Sequence, residues 1–281
     1  MLKIDSHQHY WQYHPVKDSW ITDDLEVIQK DFLPGDVWPA MQQHGISGCV
    51  AVQADQSERE NDFLLALAQK HAFIKGIVGW VNLQADDIEE RLQHYSTIPL
   101  MKGFRHILQG EMDERFMLGQ NFMRGIGLLN RYNFTYDILI KPNHLPYARQ
   151  LVAAFPDQSF VIDHLAKPNI KEGLTDNWKQ DLHAIAAHPN VYCKVSGLLT
   201  EADWDNHKTD DFTVYLDITF NAFGANRVMF GSDWPVCNLA GGYDAAINVV
   251  EAYVNKLSMN EQQLFWAKNA IAFYGLEVGQ A

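Results

Sequence analysis

Cysteine is scarce in this chain: Cys49, Cys193 and Cys237 stand far apart, with no C-x-x-C spacing among them. An odd, scattered set suits a reducing compartment and argues against a disulfide scaffold. Cys49 and Cys193 fall within apolar runs, where a buried thiol is the expected reading. No apolar run approaches the roughly 18 residues of a membrane span, and the first residues read as a strand, not as the apolar core of a signal peptide. No membrane association and a cytoplasmic location are therefore expected. Positive charge is also short: 22 Lys+Arg face 35 Asp+Glu, a formal net charge of -13. That argues against nucleic acid as a partner, because such binding needs a basic footprint. It disfavours highly anionic substrates as well, although one local arginine can overrule a global charge. Internal repeats, low-complexity stretches and linker-like runs are missing, so residues 1–281 are expected to form one domain, a length that barrels use as a single unit.

Short apolar runs recur at spacings that leave room for a helix between them. Strands are expected at 2–8, 47–53, 74–81, 101–106, 134–140, 159–164, 191–196 and 227–232. Helical periodicity marks 61–70, a segment from Leu145 to Phe155 that stops at Pro156, and one from Asn177 to Ala187 just before Pro189. Eightfold strand–helix alternation predicts a parallel sheet closed into a (β/α)8 TIM barrel of the α/β class. The rival, an open doubly wound sheet, would separate the first strand from the last, and no G-x-G-x-x-G follows the first strand. The stretch from Tyr10 to His44 reads as a long loop after strand 1, rich in rings: Trp11, Tyr13, Trp20 and Trp38. Core packing accounts for some of them, and a loop capping a pocket for the rest.

Barrels of this kind carry their chemistry at the C-terminal strand ends. Those ends present His7 and His9, Gln53, Trp80, Arg105 and His106, His164, Lys194 and Ser196, and Asp233. His7 and His9 are one residue apart on a strand, so they point to the same side. Asp233, in Gly231-Ser232-Asp233-Trp234-Pro235, ends the last strand and meets that pair only if the barrel closes; on its own it would be as well explained by capping a turn. His44, His71, His94, His183 and His188 fall in helices or at their ends and receive no role. Asp163 is expected to face away from His164 as a structural residue. Arg105 is favoured over His106 for the pocket; Lys194 and Ser196 share a face, and a solvated or salt-bridged lysine at a strand end stands almost level with a pocket role for Lys194.

The ordered motifs Ile4-Asp5-Ser6-His7-Gln8-His9, Gly76-Ile77-Val78-Gly79-Trp80, Lys102-Gly103-Phe104-Arg105-His106 and Asp163-His164-Leu165-Ala166-Lys167-Pro168 resemble the amidohydrolase superfamily. Cys193-Lys194-Val195-Ser196-Gly197, Phe230-Gly231-Ser232-Asp233-Trp234-Pro235 and Asn269-Ala270 continue the resemblance, which covers nearly the whole chain. It is narrower still to the branch of sugar-acid and pyrone-dicarboxylate lactonases. Two-metal members of the superfamily use a lysine at the fourth strand tip and a histidine at the fifth. Here Arg105-His106 occupies the fourth, and Thr135-Tyr136-Asp137-Ile138-Leu139-Ile140 offers no histidine. The resemblance therefore implies at most one weakly held divalent cation, such as zinc, on His7, His9 and Asp233, with none required.

The expected activity is hydrolysis of the lactone ring of a sugar acid, an aldonolactone. Asp233 would take a proton from the attacking water, while His7, His9 and His164 polarise the carbonyl and stabilise the oxyanion. Arg105 is expected to bind substrate oxygens, with His106 and Gln53 beside it. Trp11, Trp80 and Trp234 are candidates for stacking on a sugar face. One obvious arginine at the tips favours a neutral sugar lactone over a pyrone dicarboxylate. Two alternatives stand beside this reading: a metal-dependent decarboxylase of the same superfamily and a sugar-binding barrel without turnover. The sequence permits a homo-oligomer without specifying one.

Overall fold

The structure, a computed structural model, describes residues 1–173 and 176–278. Eight parallel strands lie in sequence order: β1 (Lys3–Gln8), β2 (Ile46–Val52), β3 (Ile74–Gly79), β4 (Met101–His106), β5 (Thr135–Ile138), β6 (Phe160–Ile162), β7 (Val191–Val195) and β8 (Val228–Phe230). The main helices between and after them are α1 (Pro34–Gln43), α2 (Glu58–Lys70), α3 (Ile88–Ser96), α4 (Gln120–Leu129), α5 (Leu145–Ala154), α6 (Asp176–Ala186), α7 (Thr213–Phe223) and α8 (Gly242–Val254). A parallel bridge between Gln8 and Trp234 brings the last strand's extension against the first, so the sheet curls into the expected barrel. Each helix buries one stripe against the sheet. In α4, for example, Phe122, Gly125, Ile126 and Leu129 are buried, the i, i+3, i+4, i+7 pattern of an amphipathic helix.

Alternation along the strands sorts the apolar residues into two sets. Ile4, Val50, Val52, Val78, Val161 and Met229 cluster inside the barrel, joined from below by Ala270, Phe273 and Tyr274 of the C-terminal helix Asn269–Tyr274. Their neighbours Cys49, Phe104, Tyr136, Phe160, Ile162, Cys193 and Phe230 belong to the larger core shared with the helices. Among the described residues no helix is long and apolar enough to cross a membrane.

Two sequence expectations need correction. The stretch after β1 is a loop only as far as Leu33, with 3-10 turns at Asp23–Ile28, because α1 occupies its last third despite Pro39. Pro34 fills the first helical position, where no N–H is needed, and the Asp36 carboxylate accepts from Leu33 N at 2.8 Å. Strands β5, β6 and β8 are also shorter than their apolar runs. At β6 the reason is backbone geometry: His164 to Lys167 take φ of 54°, 54°, 57° and 53°, all left-handed and incompatible with a strand.

Candidate active site at the barrel seam

The first and last strands build the centre of the site together. Asp5 Oδ1 accepts from His7 N at 3.1 Å and from Ser232 N at 2.9 Å, pinning the end of β8 to β1. Beyond that pin His9 N donates to Trp234 O at 2.7 Å and Asp233 N donates to His7 O at 3.0 Å. An irregularity in the β1–β2 register between Asp5 and Gln8 resets the alternation, and the two rings then share the inner face as H-x-H predicts. Their Nε2 atoms are 3.1 Å apart. Asp233 Oδ1 lies 3.5 Å from His9 Nε2, 3.8 Å from His7 Nε2 and 3.9 Å from His164 Nε2.

His164 reaches this centre by a route that strand alternation does not give. Val161 points into the barrel, so the next inward residue is Asp163, and Asp163 is indeed inside, beside His7, Arg105 and Lys194. The left-handed turn that begins at His164 swings its ring back over the barrel mouth. Ser196 Oγ holds Nδ1 of that ring at 2.8 Å. Gly197 makes room for it: its φ is +63°, and a Cβ there would sit 2.7 Å from His164 Nδ1.

Below the imidazoles lies a buried layer of charge contributed by four consecutive strands: Arg105, Asp137, Asp163 and Lys194. All four are at most 3% exposed. Lys194 Nζ donates to Asp137 Oδ2 at 2.6 Å and lies 3.1 Å from Asp163 Oδ1; Arg105 Nη1 donates to Asp163 Oδ2 at 3.0 Å. Tyr274 OH donates to Asp137 Oδ2 at 2.8 Å from the C-terminal helix. Two cations thus balance two carboxylates away from water, the condition under which buried charge is tolerated. Lys194 is salt-bridged and not solvated, and Asp163 does not face away from the site; strict alternation from Val161 would have placed it correctly.

Burial drives the main pKa shifts. Burial lowers the His164 imidazole to about 4, against the pull of Asp233 and Asp163. Burial, helped by the nearby Lys194 charge, pushes His7 well below its ordinary value. Burial also works to raise Asp233, but His164, a hydrogen bond from His9 and the charge of His7 outweigh it and hold the carboxyl well below the usual carboxylate range. Near neutrality the site therefore contains an ionised carboxylate facing neutral rings at positions 7 and 164.

These groups open onto a cavity of about 340 Å³. His9, His164, Asp233 and Arg105 reach its wall; Trp11 and Trp20 flank it; Ile107, Leu139 and Val236 give it an apolar side. Other residues singled out in the sequence lie elsewhere. Gln53 is fully buried, with Nε2 donating to Arg105 O at 3.2 Å and its backbone carbonyl accepting from Arg105 Nη2 at 2.6 Å. Trp234 packs between Tyr10 and Phe32, at ring separations of 5.9 and 5.4 Å. His106 stacks on Phe116 and bonds Glu111 at 2.7 Å, while Trp80 lines a separate open groove with Phe63 and Glu60. Lys141 and Lys167, which the sequence reading passed over, complete the cavity wall, and Lys167 stands 3.5 Å from Glu201. Both lysines lie in loops beyond strand ends, where no periodicity announces direction.

His7, His164 and Asp233 bring ligand atoms within 4.8 Å of one another, and His9 Nε2 stands beside them. Nitrogen and carboxylate donors at this spacing suit a single divalent cation such as zinc.

A parallel eight-stranded barrel with imidazoles and a carboxylate converging at its C-terminal mouth defines an amidohydrolase, and the chain belongs to the amidohydrolase family, which it matches over residues 4–276. Within that family it is 38% identical over 286 residues to an L-fucono-1,5-lactonase of Burkholderia multivorans, covering 98% of this chain and 96% of that one. A crystal structure of a Burkholderia multivorans amidohydrolase with bound zinc superposes with a TM-score of 0.94 at 37% identity, over 99% of this chain and 100% of the other. A 2-pyrone-4,6-dicarboxylic acid hydrolase from Pseudomonas putida shares the fold, with a TM-score of 0.79 at 21% identity over 99% and 98% of the two chains.

Proposed function

We propose that this protein is a carboxylic-ester hydrolase that opens the lactone ring of a sugar acid, an aldonolactone of the kind that L-fucono-1,5-lactone represents. The observation that carries the reading is Asp233, an ionised and nearly buried carboxylate with three imidazole nitrogens 3.5–3.9 Å from one oxygen. Such a carboxylate is placed to take the proton of a water attacking a carbonyl bound between it and the rings. His9 Nδ1 is 2.8 Å from Val52 O, which only accepts, so this contact fixes the ring with Nε2 turned toward the site. His9 Nε2, 3.5 Å from Asp233 Oδ1, holds the carboxylate in place beside the nucleophilic water. His7 and His164 supply donors for the developing oxyanion, whose preorganised stabilisation is worth several kcal/mol. Asp233 then returns its proton to the departing ring oxygen.

Arg105, Lys141 and Lys167 give the cavity wall donors for hydroxyls and for the carboxylate of the product, and Trp11 and Trp20 flank the sugar ring. A divalent cation on His7, His9, His164 and Asp233 would act as a Lewis acid on the carbonyl. Turnover does not require it, because a lactone is an activated ester with a tethered leaving group. The decarboxylase alternative is less supported, since the relative at 38% identity over nearly the whole chain is named as a lactonase. A screen of 1,4- and 1,5-aldonolactones with a pH indicator tests the proposal: acid release on at least one of them is expected, and inertness toward all of them refutes it.

A further inference from the structure

We propose that Gln109 is a specificity-determining residue, its side-chain amide reading one hydroxyl of the lactone's sugar ring, and that His106 positions it for this task. The identity of the ligand rests on the lactonase reading. Gln109 lines the catalytic cavity, yet its Oε1 is shielded from solvent and takes no hydrogen bond among the described residues. A shielded amide oxygen without a donor is costly and calls for an explanation. Asp137 Oδ1 and Asp163 Oδ1, also without partners, belong to the charged layer beneath the imidazoles. Gln109 stands apart from that layer, on the wall that meets the ligand.

A sugar hydroxyl supplies what is missing. It both donates and accepts, and the amide offers a carbonyl oxygen or, after a half-turn about its last rotatable bond, an NH2 group. Ile107 and Leu139 on the same wall have no polar side-chain group to compete for it. A ligand that brings the hydroxyl satisfies the amide, whereas one that lacks it leaves the amide sealed in and unpaired. Sites built this way discriminate more sharply than apolar pockets do.

The backbone around Gln109 is fixed on the wall side. Gln109 N donates to Leu139 O at 3.1 Å, Ile107 N donates to Gln56 Oε1 at 2.8 Å, and Leu108 between them is buried. The crest that follows has no such support, for Gly110 and residues 112–115 are exposed. Two polar contacts hold it: Asn143 Nδ2 donates to Glu114 Oε1 at 2.6 Å, and Glu111 Oε1 lies 2.7 Å from His106 Nε2. His106 is the last residue of β4 and faces the opposite way from the inward Arg105. Its ring stacks on Phe116 at 5.0 Å and meets Phe122 edge-on at 5.7 Å, while Trp80 Nε1 donates to its Nδ1 at 3.3 Å. An indole N–H only donates, so this contact sets the His106 proton on Nε2, directed at Glu111. Burial lowers the His106 pKa against the pull of Glu111, in keeping with that state. The chain from Trp80 through His106 to Glu111 thus ties the ends of β3 and β4 to the turn that carries Gln109. Trp80 and His106 act on the substrate through Gln109 and not by touching it.

The test compares the aldonolactone turned over fastest with its deoxy analogues, one ring hydroxyl removed at a time. In the wild type one analogue should lose at least about tenfold in kcat/KM, and in Gln109→Leu the same analogue and its parent should agree within about threefold. The denaturant midpoint of Gln109→Leu should equal or exceed that of the wild type, because the amide has no partner in the free protein to lose. Glu111→Ala should raise KM about three- to tenfold with little change in kcat, and Glu111→Gln, which keeps an acceptor for His106 Nε2, should restore it. Binding of the matching aldonolactams, which have no ester to open, is followed by calorimetry on the same proteins. Loss of lactam discrimination in Gln109→Leu upholds the assignment even if no lactone is hydrolysed, which separates it from the assignment of activity. A wild type that treats all deoxy analogues and lactams alike overturns the proposal even if no variant folds. So does a folded Gln109→Leu with the wild-type pattern of discrimination, and a Glu111→Ala indistinguishable from wild type removes His106 from the positioning role.

Discussion

Replacing Asp233 by asparagine isolates the proton acceptor from the shape that carries it. The residue occupies a left-handed conformation with φ of 58°, which asparagine adopts more readily than most residues, so the turn should survive. Its backbone contacts, N–H to His7 O at 3.0 Å and C=O from Cys237 N at 3.0 Å, do not involve the side chain. The melting temperature should therefore move by no more than about 4 °C, the scale of roughly 1 kcal/mol in a chain of this size. What disappears is the carboxylate that faces His7, His9 and His164 together at 3.5–3.9 Å. A general base contributes about two to four decades in rate, or about 3–5 kcal/mol of barrier. kcat on the best lactone, followed by indicator and corrected for spontaneous opening, should drop by that factor. The residual rate should rise with hydroxide concentration, because hydroxide needs no base. A folded variant that retains more than a tenth of wild-type turnover removes Asp233 from the mechanism.

Arg105→Met should raise KM more than it lowers kcat and should also destabilise the fold by about 3–5 kcal/mol, since it leaves Asp163 short of a partner in a buried layer; denaturant midpoints and an unchanged KM are the respective checks. The His164 imidazole falls from 6.5 in its ordinary state to about 4 in the folded chain, so only the unfolded chain takes up that proton between those values. Its contribution leaves stability unchanged above about pH 6.5 and removes about 3 kcal/mol as pH falls to about 4. His164→Gln should flatten that part of the stability–pH curve, and parallel curves for variant and wild type would refute the assignment. Prolonged chelation should spare turnover, with added zinc neutral or inhibitory; loss of activity restored by one equivalent of zinc or manganese would make the ion the Lewis acid.

The barrel and the meeting of His7, His9 and Asp233 were legible because each rests on a local rule. Alternation sets the direction of H-x-H, and breakers mark the end of the last strand. Asp163 and Lys194 were harder. The apolar run through Ile162 suggests a strand continuing to His164, which would make His164 the inward residue. The true inward phase, set by Val161, points to Asp163, and His164 arrives through a left-handed turn that no periodicity encodes. Trp234 and Trp80 looked like sugar platforms because ring chemistry is visible in sequence, whereas the packing of one against Phe32 and the diversion of the other into a separate groove are not. Lys141, Lys167 and the cavity-facing role of Trp20 depend on loop paths, which local patterns leave open.

The pin between Asp5 and Ser232 spans 227 positions, and the proton acceptor lies one residue past it. A chain made from its N-terminus thus carries two of its imidazoles almost from the start but has no base opposite them until the eighth strand has emerged and docked. If Asp233 is the base, half-built barrels should be catalytically silent, with hydrolysis beginning at closure of the ring. Substrate turnover in a refolding or translation reaction would then serve as a clock for that last docking event, reporting completion of the barrel where spectroscopic probes of helix content report only its approach.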